Sequence, residues 1–321
     1  MKIFQATFRV FWISIIGFSA LCSFLNANQY PENITPNEAF SRLELVDQYL
    51  DHILTREFYR APIAKQKVFE VDIEPMHVFQ LIAEIASLSN EVGKLYGLKE
   101  IKTVEVTPRD YYPKDVRKVV DQILKRTLEI TDSLNLNLKK ISEKKYSEKI
   151  PSDVFSLAVQ VWNKFLELKG EHRVSPSNVF QQVKRIREDT SLILNKLSKS
   201  THKEFTFYKK ERVLPKNVFQ KALEVRTSVN LLRSRLEKKS ITSPEVPSNY
   251  HIFPRDVYLQ CIILMAEMNL VKKEYGINTP TPKSKVSKNK QPADVMLEME
   301  YVHKDLEILL KELKQQSLPS I

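Results

Sequence analysis

Glycine is nearly absent from this chain, with five in 321 residues, and Gly17 is already used up in an apolar N-terminal stretch. So few glycines leave no loop that could cradle a phosphate, and neither Gly-x-Ser-x-Gly nor Cys-x-x-Cys occurs. Cysteine is scarcer still, limited to Cys22 and Cys261. If the N-terminal stretch is removed on export, Cys261 stands alone, no internal disulfide can form, and the fold must rest on an apolar core. The histidines are scattered and form no His-x-x-x-His pair. Glu300-Tyr-Val-His303 matches one half of the Glu-x-x-His pattern of carboxylate-bridged metal bundles, but the chain holds no second half. His303 therefore reads as a boundary residue, and Cys261 with Met265 and Met268 as core filling rather than sulfur ligands. These absences argue against an enzyme, a metal site or a cofactor.

A membrane-length apolar helix is also missing. Lys2 and Arg9 precede an apolar run from Val10 to Leu25, short of the roughly 20 residues that a span needs. Residues 1–27 read as an export signal cut after Ala27, with an uncleaved anchor over residues 10–25 as the alternative. Leu21 before Cys22 is too large for a lipoprotein signal. Export without disulfides suits the periplasm of a bacterial cell envelope.

What the chain does have is proline at a fixed period. Pro36, Pro75, Pro113, Pro151, Pro176, Pro215, Pro254 and Pro292 each open a similar motif, of which Pro254-Arg-Asp-Val-Tyr258 is representative. The period is about 38 residues, broken once by a short interval between Pro151 and Pro176, and a fixed period decides the architecture. Proline is favoured in the first turn of a helix, where its missing N–H is no loss. The residue two further on is Glu38, Asp115, Asp153, Asn178, Asn217, Asp256 or Asp294, suited to the positive helix end, and His77 is the one departure. Ile34, Ile73, Tyr111, Val174, Val213 and Ile252, two residues before their prolines, can staple each helix start, whereas Lys149 and Lys290 cannot.

Apolar residues then recur in a heptad seam, as in Val218, Ala222, Val225, Val229, Leu232 and Leu236. Tyr96-Gly97-Leu98 and Tyr275-Gly276-Ile277 read as helix stops. The pattern predicts an all-α fold of eight single-helix repeats in two tandem four-helix bundles, residues 28–170 and 171–321, with a stacked α-solenoid as runner-up. Thr103 to Thr107 alternates like an extended piece, and Thr279 to Gln291 reads as a mobile loop. The five residues between Gly170 and Pro176 force the fifth helix either to run back beside the fourth or to continue from its end.

Charge divides the two halves. Residues 28–170 carry 21 Lys+Arg against 22 Asp+Glu, whereas residues 171–321 carry 27 against 17. The excess concentrates in repeats five and six, at Lys184, Arg185, Arg187, Lys209, Lys210, Arg212, Lys221, Arg226, Arg233 and Arg235. Arginine's planar fork suits carboxylate and phosphate, so these ten residues are the candidate docking face for an anionic partner. That partner would be an envelope protein, a lipid headgroup or an acidic glycan; nucleic acid does not fit an exported protein. Reversing Arg187, Arg226 and Arg233 to Glu is expected to abolish docking while leaving stability intact. The functional expectation is thus an exported, non-enzymatic scaffold or adaptor. The competing expectation is a small-molecule-binding or sensory bundle, with a polar gap in the seam at Ser89, Thr127 and Thr190.

Overall fold

The computed structural model describes residues 33–57, 68, 70, 72–136, 141–171, 173–197, 212–246, 248–285 and 287–316. Residues 1–27, expected to be a signal or anchor, and Lys209 and Lys210 with most of the connection around them lie outside the described residues. Among those described there are eight helices and no strand. They are α1 (Pro36–Glu57), α2 (Pro75–Leu95), α3 (Pro113–Ser133), α4 (Pro151–Lys169), α5 (Pro176–Lys196), α6 (Pro215–Arg235), α7 (Pro254–Glu274) and α8 (Pro292–Gln316).

Every one of the eight prolines is the first residue of a helix. The residue two further on accepts a hydrogen bond from the backbone N–H just before the proline. Asp115 accepts from Tyr112, Asn178 from Ser175 and Asp294 from Gln291, at 2.8–2.9 Å. His77 does the same: its Nδ1 accepts from the Glu74 N–H at 2.9 Å. The departure in sequence is therefore no departure in structure. Gly97 and Gly276 close α2 and α7 in the left-handed region (φ 74° and 65°), and the N–H groups of Leu98 and Ile277 reach back to the Gly93 and Lys272 carbonyls. That left-handed conformation is the one that favours glycine.

The helices pack in two closed rings. In the first unit α1 touches α3 and α4, and α2 touches the same two; in the second, α5 touches α7 and α8, as does α6. Chain neighbours α1 and α2, or α3 and α4, sit across the diagonal without contact. A solenoid stacks each repeat on the next, so the runner-up architecture is excluded. Each ring is also parallel throughout. Pro36, Pro75, Pro113 and Pro151 meet around one small apolar dimple, and Pro176, Pro215, Pro254 and Pro292 around another. All four helices of a unit thus start at one end, and each intervening connection must return a helix length, about 32 Å for 21 residues.

Side chains hold the returning connections in place of a sheet. The Asn90 amide donates to the Ile101 carbonyl and accepts from its N–H at 2.9 and 3.1 Å, and Asn230 treats Ile241 identically at 2.8 and 2.9 Å. Val106 is buried and Val104 packs on the core, so the alternation in Thr103–Thr107 turns apolar side chains inward without a ladder. The two lysines that break the staple pattern also recur in structure. Lys149 lies 4.4 Å from the Phe40 ring centroid and Lys290 lies 4.5 Å from that of Phe180. The repeat therefore extends from sequence to tertiary contacts.

The seam is dry. Val218, Ala222, Val225, Val229 and Leu232 are buried, as are Val295, Met299, Val302, Leu306 and Leu309. Ser89, Thr127 and Thr190 open no gap, because each hydroxyl donates to a carbonyl of its own helix at 2.8–2.9 Å. Cys261, Met265 and Met268 are fully buried core, with burial pushing the thiol up.

The two units run in opposite directions. His77 at the start of α2 meets Glu267 late in α7, and Trp162 late in α4 stacks on Tyr258 early in α7 at 4.8 Å. Helix α5 accordingly turns back after Gly170, yet it does not touch α4. Four aligned helix dipoles in one unit thus lie against four in the opposite sense, which offsets the cost of a parallel bundle.

The segment expected to be mobile is pinned where it leaves α7. Thr281 is buried, donating to Asp189 at 2.6 Å, while the Lys272 ammonium donates to Asp189 at 2.6 Å and to the Thr279 carbonyl at 3.1 Å. Burial holds Asp189 above the usual carboxylate range despite this lysine, and lowers Lys272. Replacing Lys272 by Met would leave Asp189 uncompensated and is expected to cost about 3–5 kcal/mol. Urea denaturation measures the loss, and a loss under 1 kcal/mol would mean that the pair does not hold the fold.

Candidate functional site

The densest polar chemistry lies where the units meet, and three arginines from the basic half carry it. Arg226, with no exposed side-chain surface, donates to Glu70 at 2.8 Å, to Gln260 at 3.1 Å and to the Thr242 carbonyl at 2.7 Å. Arg233, 2% exposed, pairs with Glu267 at 2.7 Å and Glu74 at 2.8 Å, and its Nε donates to the Lys239 carbonyl at 2.6 Å. Arg185 pairs with Glu84 and donates to Gln182, whose amide donates to the Tyr258 hydroxyl. Glu70, Glu74 and Glu84 all belong to the first unit. Helix α2 and the segment leading into it supply acids that meet the second unit's excess bases.

His77 sits at the centre of this network. Its Nδ1 accepts the Glu74 N–H, so Nε2 carries the proton and donates to Glu267 Oε1 at 2.6 Å. Imidazole thus caps its own helix with one nitrogen and reaches the other unit with the second. A carboxylate at this position could cap equally well but would face Glu267 and Glu74 as a like charge. That accounts for the single exception among the eight helix starts.

Glu74, His77 and Glu267 form the one candidate metal-ligand cluster among the described residues, with ligand atoms within 4.8 Å of one another. The Arg233 guanidinium already bonds both carboxylates, and both His77 nitrogens are engaged. The donor set therefore holds a cation of the protein's own, and a metal ion would have to displace it. Burial alone would raise Glu267, but the hydrogen bond from His77 and the charge of Arg233 together hold it below the usual value. A depressed carboxylate adds stability above its unfolded-state pKa and loses it as pH falls through the folded one. The melting temperature is expected to fall steeply below about pH 4.5, and scanning calorimetry of Glu267→Gln should show a shallower acid limb. An unchanged limb would show that Glu267 does not set acid stability.

The ten candidate docking residues therefore separate. Arg226 and Arg233 are buried inside the molecule, and Arg185 is nearly so. These three are corrected from outward docking groups to ties between units, because acids of the same chain reach them. The expectation that Arg226 and Arg233 could be reversed without loss of stability falls with their exposure. Arg187 pairs with Glu298 at 2.5 Å and stacks on Tyr301. Arg235 donates to the Leu310 carbonyl, and Lys221 to Glu224. Arg212 is exposed with φ 55°, three residues before Pro215; Asp72, Glu148 and Asn289 take the same backbone shape at the same position in their repeats. Lys184 and Arg187 line a groove of about 530 Å³ with Ser191, Asn195, Thr279 and Glu298. His303 is half-buried near Lys221 and is lowered by burial and by that lysine.

Sequence reading missed Glu70, Glu74, His77, Glu84 and Glu267. The available signals were His77 as the lone non-Asp, non-Asn, non-Glu residue at its repeat position and the opposite charge balance of the two halves. A second cavity, about 280 Å³, lies where α4 and α5 fail to touch, lined by Leu88, Trp162, Leu166, Lys169, Gln181 and Tyr258 among others. No helix among the described residues is long and apolar enough to cross a membrane. Comparison with protein-family models, curated proteins and solved structures finds no match to this chain, so its own geometry carries the functional argument.

Proposed function

We propose that this chain is an exported, non-enzymatic helical scaffold or adaptor of the bacterial cell envelope, acting in the periplasm or held to the membrane by residues 10–25. The supporting observation is the use to which its buried polar groups are put. Arg226, Arg233, His77 and Glu267 join two bundles into one body, and no convergent nucleophile, base or open metal position accompanies them among the described residues. What remains for a partner is outer helix surface. The basic docking reading contracts to the groove along α5 at Lys184 and Arg187, with Arg212 and Lys221 elsewhere on the second unit. Lys209 and Lys210 stay part of the proposal without a structural account.

The groove also holds Glu188 and Glu298, the latter paired with Arg187, so an acidic envelope component would be met there chiefly by Lys184. Lys184→Glu in a tagged copy crosslinked in cells is expected to lose contacts that map to α5 in the parent protein. Its stability should stay within about 0.5 kcal/mol, as for other surface changes. Unchanged crosslinks would remove the groove from the reading. A second reading, small-molecule binding, now rests on the cleft beside Trp162 rather than on the seam. A thermal-shift screen against envelope metabolites should raise the melting temperature by mass action if that cleft is filled.

A further inference from the structure

The end of the first unit where its four helices begin is unusually apolar for a helix terminus. Its centre is lined by Pro36, Pro75, Pro113 and Pro151 with Ala39, Val78, Val116 and Val154 beneath them. Tyr112 and Ile150, directly before two of these prolines, are 54% and 57% exposed. Helix starts are normally polar because several N–H groups lack partners. Here the prolines have no N–H, and the N–H groups of Thr35, Glu74, Tyr112 and Ile150 are bonded to Glu38, His77, Asp115 and Asp153. The donors on His77, Asp115 and Asp153 bond back to the Glu74, Tyr112 and Ile150 carbonyls, so at these three starts only the N–H directly after each proline is left without an acceptor among the described residues. A helix end with most of its donors satisfied loses less on leaving water than an uncapped one.

The second unit contributes lysines to this pole. Lys273 bridges to Asp110 at 2.7 Å and Lys239 to Asp72 at 3.5 Å, each acid lying three residues before a helix start. The chain itself adds the deciding fact. Asn33, the first described residue, lies three residues before Pro36, and the apolar run ending at Leu25 can lie at most about 37 Å away along an extended chain. The equivalent pole of the second unit also exposes Leu214 and Phe253, at 55% and 42%. It stands roughly a helix length, about 32 Å, farther off.

We propose that the pole carrying Tyr112 and Ile150 rests on a lipid bilayer, with residues 10–25 as its tether. This rests on the reading in which that segment remains attached. Two exposed apolar side chains would bind a bilayer weakly alone, but a short tether raises their effective concentration enough for such contact to persist. Tyrosine suits this level, with its ring in the apolar boundary and its hydroxyl among the headgroups. Glu38, Asp115 and Asp153 stay in the headgroup zone, so the pole lies on the membrane rather than in it.

The test uses the full chain with Cys22→Ser. Single reporter cysteines are placed by Tyr112→Cys or Ile150→Cys at this pole and by Leu214→Cys or Phe253→Cys at the other. The buried, raised thiol of Cys261 leaves it unlabelled. Each protein carries an environment-sensitive fluorophore and is reconstituted with vesicles of phosphatidylcholine and phosphatidylglycerol bearing a lipid-borne quencher. Fluorophores at 112 and 150 are expected to shift blue and to be quenched several-fold more than those at 214 and 253. Vesicle association with equal quenching at all four positions would overturn the pole while sparing the anchor. Absence of vesicle association would overturn both.

Discussion

Reversing Arg226 and Arg233 together to Glu is expected to abolish the folded two-unit protein at neutral pH. Each arginine is buried against carboxylates, Glu70 for one and Glu74 with Glu267 for the other. Removing one partner of a buried pair costs about 3–5 kcal/mol because the other charge stays desolvated. Reversal is worse, since it adds a second anion to the same site. Two such losses approach the 5–15 kcal/mol that typically separates folded from unfolded chains. Circular dichroism and gel filtration of the double variant should show lost or separated units. Lys216→Glu, on an exposed position of the same helix, serves as the control and should change little. A cooperative melt of the double variant near the parent's would show that these pairs do not join the units.

The second expectation concerns an exchange between the units. Gly93 lies 18 residues into α2, and Arg233 holds the corresponding place in α6; Arg126 lies 13 residues into α3, and Glu267 corresponds to it in α7. In the first unit the Arg126 guanidinium donates to the Lys99 carbonyl, passing over Gly93, where an added Cβ would stand 2.9 Å from Arg126 Cδ. In the second unit Arg233 reaches the corresponding Lys239 carbonyl from the opposite helix and pairs with Glu267. One buried guanidinium thus caps the same returning connection in both units, carried by different helices.

This makes a double-mutant cycle decisive. Arg126→Glu alone should cost about 3–5 kcal/mol by burying an unpaired carboxylate. Gly93→Arg alone should cost about 1–3 kcal/mol by overpacking against Arg126. Combined, they recreate the pair of the second unit, and the coupling energy should favour the double variant by up to about 3 kcal/mol. Urea denaturation of the four proteins measures it. Additive losses would show that the two units do not share this site.

The sequence by itself determined the helices. Each start was legible because a proline and the capping residue two positions on act locally, through hydrogen bonds that span three residues. The seam was legible for a similar reason: Val218 through Leu232 repeat with the helix period, and burial follows period. The grouping into four and four came from one short interval between prolines.

Tertiary structure alone decided the rest. Connections of about 17 residues reach either end of a helix, so only packing set the helices of each unit parallel and the units opposed. The candidate site failed for the same reason. Charge in sequence does not say whether it faces solvent or an acid of the same chain, and Glu70 lies 156 residues from Arg226. Local patterns fixed every helix. Packing of the two units put the arginines inside, where acids from both units offset the cost of taking their charge out of water.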